Sequence, residues 1–101
     1  MITITNSDLT VDRIPSTDAS WHDISMFALQ FDGYKECGSF EACAEIANSG
    51  RDNTLTELRT CLFFEQRRWR HFGEDPDAAG MIYIRGLVVK IRDKVAAGNF
   101  I

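Results

Sequence analysis

Residues 54–73 read TLTELRTCLFFEQRRWRHFG, and the assignment of this stretch decides the fold. Thr54 and Glu57 stand three apart at its start, the pattern of a capping box in which a hydroxyl and a carboxylate each satisfy an otherwise unpaired backbone donor. Gly73 at its end is the residue type that accepts a left-handed conformation after a last helical turn. Between them Leu55, Leu58, Leu62, Glu65, Trp69 and Phe72 recur at alternating spacings of three and four, which is one face of a helix. The stretch predicts a continuous rod whose leucine-and-tryptophan side is hidden. Two features depart from that pattern. Glu65 sits within the apolar stripe, and Phe63 stands among Arg59, Arg67 and Arg70 on another side of the cylinder.

Beyond Gly73 comes Glu74-Asp75-Pro76-Asp77. Asp75 suits an N-cap, Pro76 the first helical position, and Asp77 the positive end of the helix dipole. The last helix is predicted from Pro76 to about Ala97, stopped by Gly98, with a core stripe of Met81, Ile84, Leu87, Val88, Ile91 and Val95. Ala78, Ile82, Val89 and Ala96 form a second apolar stripe on another side. Gly80 and Gly86 within it cost roughly 1 kcal/mol each relative to alanine. A helix apolar on two sides is either sandwiched within the fold or shared between subunits, and this stripe predicts a homodimer contact.

Upstream of Thr54, the run Asn48-Ser-Gly-Arg-Asp-Asn53 reads as a loop. Ser39 caps a short predicted helix to Asn48, with Phe40, Cys43, Ile46 and Ala47 inward and Glu41 and Glu45 outward. Its small Ala42, Ala44 and Ala47 admit the close approach of a neighbour. The Ser-, Thr- and Asp-dense segment Pro15–Ser20 signals the start of an earlier helix, roughly Ala19 to Asp32 and ending at Gly33. Trp21, Ile24, Phe27, Ala28 and Phe31 share one side of it, while Met26 and Leu29 lie off that stripe, so cover on more than one side is expected. Met1 to Ile14 alternates weakly around Asn6-Ser7-Asp8, as a short extended segment or hairpin that must pack on something. The fold class is thus all-α: residues 1–14 an N-terminal segment, residues 15–101 one helical domain of about four helices, with the long third helix central.

A chain of 101 residues buries a modest core without staples. No apolar run is long enough to span a membrane, and the N-terminus lacks a basic region followed by an apolar stretch. The three cysteines, Cys37, Cys43 and Cys61, form no CxxC pair and read as reduced thiols of a cytoplasmic protein. The net charge of −4 is uneven: residues 1–50 carry two basic and eight acidic side chains, residues 51–101 nine and seven. Such asymmetry orients a partner, or simply reflects different solvated faces, and the acidic whole disfavours nucleic acid.

Two clusters are the candidate sites. The first is the face of Arg59, Phe63, Arg67 and Arg70, an aromatic ring among guanidinium groups, suited to docking an acidic protein surface or stacking on a base. Its bland alternative has Phe63 covered by the N-terminal segment and the arginines solvated or paired. The second is Glu65, a carboxylate costly to hide unless paired or protonated. Arg68 and Arg85 are its candidate partners, with Arg92 also flanking the last helix's stripe, and the alternative is a small-molecule pocket around the acid. His22 beside Asp23 is no catalytic pair, because adjacent helical residues point different ways. Two histidines and three cysteines without ligand spacing predict no metal, and no glycine-rich phosphate loop or nucleophile turn is present. No cofactor and no enzymatic activity are expected.

The run from Leu58 to Gly73, followed by Asp75-Pro76 and Tyr83-Ile-Arg85, resembles small bacterial or phage-borne intracellular proteins. The similarity covers about four-fifths of the chain and brings no substrate, cofactor or catalytic residue with it. The functional expectation is a non-enzymatic interaction or regulatory module. One form is a small acidic inhibitor of a nucleic-acid-processing complex. The alternatives are a nucleic-acid-binding module using the arginine face, and the Glu65 pocket.

Overall fold

A computed structural model describes residues 5–30, 45 and 52–100. Within them lie three α-helices, α1 (Trp21–Leu29), α2 (Leu55–His71) and α3 (Ala78–Ala96), preceded by two 3-10 turns at Asn6–Asp8 and Val11–Arg13. The predicted helix Ser39–Asn48 lies outside the described residues, except for Glu45, which is helical and exposed.

α2 starts and stops where the local chemistry predicts. Glu57 N–H donates to Thr54 Oγ1 at 3.1 Å and Thr54 N–H donates to Glu57 Oε1 at 3.0 Å, completing the capping box. At the other end Gly73 takes φ 66°, and the N–H groups of Gly73 and Glu74 donate to the carbonyls of Arg70 and Trp69. That is a Schellman ending, which needs a residue without a Cβ at the left-handed position. Asn99 and Gly98 close α3 on Lys94 and Val95 in the same way. The start of α3 differs from expectation. Its cap is Asp77, whose Oδ1 accepts from Gly80 N–H at 2.7 Å, not Asp75. This later start seats Gly80 under the indole of Trp69, where a Cβ would stand 2.9 Å from Cζ2. The glycine that weakens the helix is the one that lets the ring in.

α2 is the hub. In its first turns residues on every side are buried, including Leu55, Leu58, Arg59, Thr60, Cys61 and Leu62. α3 packs along it in the opposite sense. Trp69 meets Gly80 near the turn, and Lys94 Nζ pairs with Asp52 Oδ2 at 2.8 Å near the far end. Ile84, Leu87, Val88, Ile91 and Val95 supply the α3 side of the core, as the stripe predicted. α1 is capped by Ser20, whose Oγ accepts from Asp23 N–H, and it buries Ile24, Phe27 and Ala28. Ser25 faces Gln66, so α1 too runs antiparallel to α2. Met26 is 53% exposed, so the expected second cover on that side is not found among the described residues.

Residues 5–14 form neither a hairpin nor a free tail. The short polar side chains favour local turns: Thr5 Oγ1 donates to Asp8 Oδ2 at 2.7 Å, and Asp8 and Leu9 N–H bond back to Thr5 and Asn6 carbonyls. Leu9 and Ile14 enter the core shared by the three helices. Burial of each is worth about 1.5–3 kcal/mol, enough to hold the segment down. Its clamp is Asn6, whose Nδ2 donates to Thr56 Oγ1 at 2.8 Å and to the Phe100 carbonyl at 3.2 Å.

Candidate functional site

The structure distributes the predicted arginine face over three different places. Arg59 leaves it altogether, being 2% exposed. Its Nη1 donates to Asn6 Oδ1 at 2.7 Å. A guanidinium presents donors in a fixed fork, and the turn at Asn6 brings an acceptor to meet it, so this cation is structural rather than displayed. Phe63, one turn on, is half-buried, with the exposed guanidinium of Arg67 5.9 Å from the ring centroid. That cation–π contact covers part of the ring. Arg70 faces elsewhere, into a cleft against α1.

The Glu65 cluster is half assembled. Glu65 is buried, and its Oε2 lies 3.5 Å from Arg68 Nη1. Arg85 does not join them: its Nη2 donates to the Ala19 carbonyl at 3.2 Å, and its buried Nε has no hydrogen-bond partner. The backbone just before α1 reaches Arg85 there, and its carbonyl takes the guanidinium in place of the carboxylate. Burial pushes the Glu65 carboxyl up from its ordinary range, with the Arg68 charge opposing.

Cys61 and Tyr83 share this interior. Burial, reinforced by Glu57 and Glu65, raises the Cys61 thiol to about 11. Burial, then Cys61 and Glu65, raises the Tyr83 hydroxyl to about 12. A thiol held protonated at neutral pH is a poor nucleophile, so the group reads as packing. Among the described residues no set of His, Cys, Asp and Glu is placed to hold a metal ion, and no helix is long and apolar enough to cross a membrane.

Two features were not legible in the periodic pattern. Phe72, assigned to the hidden stripe, is 64% exposed and meets the exposed His71 edge-on, with ring centroids 5.3 Å apart. Only Trp69 of the last turn of α2 packs on the core, and the side chains on its other sides stand in solvent. Arg67, Arg68, Arg70, His71 and Phe72 are all exposed there, with Arg68 lying over the Trp69 ring at 5.1 Å. The only advance sign was the density of the Arg67–His71 run, which a helical wheel fans over every direction.

The second feature is the cleft of about 350 Å³ that Arg70 enters, between the first turns of α1 and the last turn of α2. Trp21 packs against the core as expected and its half-buried ring also forms one wall of the cleft, with Ser25 and Gln66 lining it too. Compared with known proteins, the chain matches no family model, no curated protein and no solved structure, and the reading of these surfaces rests on their own chemistry.

Proposed function

We propose that this chain is a non-enzymatic protein-interaction module that docks an acidic partner through the last turn of α2. The observation that carries this reading is Phe72, a phenyl ring 64% exposed beside three exposed arginines. An exposed ring on the same helix end as exposed arginines matches the composition of interface hot spots, where an aromatic anchor fills a pocket and arginine pairs with carboxylates. Stacking of Arg67 on Phe63 and of Arg68 on Trp69 restricts these side chains in advance, so less conformational entropy is lost on docking. The acidic-inhibitor form has less support, since several carboxylates it would use, including Glu36 and Glu41, lie outside the described residues. The nucleic-acid form loses Arg59 as a phosphate contact and meets Glu74, Asp75 and Asp77 directly after the arginines.

A peptide-display selection against the full chain tests the reading. Enriched peptides are expected to be acidic with an apolar anchor, to weaken steeply with salt, and to lose binding to the Phe72→Ser variant. Enrichment of basic or uncharged peptides, or full binding by Phe72→Ser, removes the proposal.

One observation favours self-association as a second reading. Ile82 is 74% exposed and Val89 37%, and Gly86 on the same side of α3 has nothing within 4 Å of a built Cβ. Gly80 is explained by Trp69; Gly86 is explained by no contact among the described residues. Small residues flanked by apolar ones let a second helix approach closely. Sedimentation across a concentration series is expected to show a dimer that Ile82→Lys dissociates; a monomer at every concentration rules it out.

A further inference from the structure

The cleft beside α1 shares only Arg70 with the docking surface and holds further chemistry which that surface does not use. Its base is polar and buried: Gln66 is 2% and Ser25 9% exposed, and Gln66 Nε2 donates to Ser25 Oγ at 3.1 Å. That bond fixes the carboxamide and leaves the Ser25 hydroxyl proton available to a guest. The half-buried indole of Trp21 makes a wall. Around the mouth stand groups of both signs, Arg70 and His22 together with Glu74 and Asp75, all exposed. None of the side chains of Arg70, Glu74 and Asp75 is in an ion pair with a described residue, although all border one space.

We propose that this cleft binds a small zwitterion of the α-amino-acid type. The guanidinium of Arg70 takes the guest's carboxylate, for which its planar fork is shaped. The carboxylates of Glu74 and Asp75 take the ammonium group. Between the two charges the guest's carbon skeleton lies on Trp21, and a polar side-chain atom reaches Ser25 and Gln66.

Charge decides the class. A simple anion meets two carboxylates, a simple cation meets a guanidinium, and an apolar guest uses neither charge. Only a molecule bearing both charges satisfies both sides of the mouth. The volume, about 350 Å³, is at the lower end for small-ligand sites and suits a single metabolite rather than a nucleotide.

The test is calorimetry and thermal unfolding of the full chain with the free protein amino acids, each beside its N-acetyl and carboxamide derivatives. At least one free amino acid is expected to bind and to raise Tm, while both blocked forms of it fail. Arg70→Ala and Glu74→Gln, both changes at exposed positions, are each expected to weaken binding by about tenfold or more, as loss of a charge-assisted contact requires. Lys90→Ala, an exposed change outside the cleft, should bind as the parent does. Failure of every free amino acid, equal binding of a blocked derivative, or undiminished binding by Arg70→Ala overturns the proposal.

Discussion

Arg59 and Asn6, separated by 53 positions in the chain, meet through a 2.7 Å hydrogen bond from guanidinium Nη1 to amide Oδ1. The same amide reaches Thr56 and Phe100 through its nitrogen, so one side chain joins the N-terminal segment, the start of α2 and the end of the described chain.

Replacing Asn6 with Ala therefore removes an acceptor from a buried cation and loosens the segment carrying Leu9. A loss of about 1.5–3 kcal/mol is expected, the range for a hydrogen bond to a charged group. Urea denaturation should show it as a lower midpoint at unchanged slope. Against an Arg59→Met background the same Asn6 change should do much less, because the two act as one unit. Equal effects in both backgrounds would show that the contact is not energetically coupled.

The two glycines of α3 should respond in opposite directions to alanine. At Gly80 a Cβ meets Trp69 Cζ2 at 2.9 Å, Asp77 Oδ1 at 3.1 Å and Pro76 Cβ at 3.2 Å, and displacing an indole packed on the core is not cheap. Overpacking of about 1–3 kcal/mol should outweigh the helix-propensity gain of about 1 kcal/mol. At Gly86 nothing stands within 4 Å, so Gly86→Ala should stabilise the monomer by about that propensity gain. A Gly86→Ala variant that unfolds more easily, and more so at high protein concentration, would instead place a second chain against this face.

Glu65 gives stability a signed dependence on pH. Its folded-state pKa is raised, chiefly by burial, so the folded protein holds a proton over a window in which the unfolded chain has released one. The group's contribution is therefore full below the unfolded carboxylate pKa and is lost as pH rises through the raised folded value. Glu65→Gln has no such window. The stability of the parent relative to Glu65→Gln should fall as pH is raised from the acid side toward neutrality. A difference independent of pH would mean that folding leaves the Glu65 pKa where the unfolded chain has it.

Cys61 is 1% exposed and its thiol is raised to about 11, so both access and thiolate fraction oppose alkylation. Peptide mass spectrometry after iodoacetamide treatment at pH 8 should find Cys61 unmodified in the native protein and fully modified in denaturant. Labelling of native protein at the denatured rate would show that the α2–α3 interface opens readily.

The parts of this fold readable from the chain are those set by neighbours. The hydroxyl of Thr54 and the carboxylate of Glu57 cap α2 across a single turn, and Gly73 ends it because only a residue lacking a Cβ enters the left-handed region freely. The stripe from Ile84 to Val95 followed from helical spacing alone. The start of α3 was expected at Asp75 and lies at Asp77, since either aspartate can cap a helix and the register that seats Trp69 on Gly80 begins at the second.

What the sequence determined by itself was a long capped helix, an all-α arrangement and the core side of α3. Tertiary structure alone decided which arginine is hidden and which displayed. Arg59 and Arg67 stand two turns apart on the same side of one helix, yet the first is covered because Asn6 folds back onto it and the second is exposed. The cleft is likewise made of Trp21, Gln66 and Glu74, brought together by helix packing. Side-chain periodicity records which way a residue points, and it carries no record of what arrives from elsewhere in the chain to cover it.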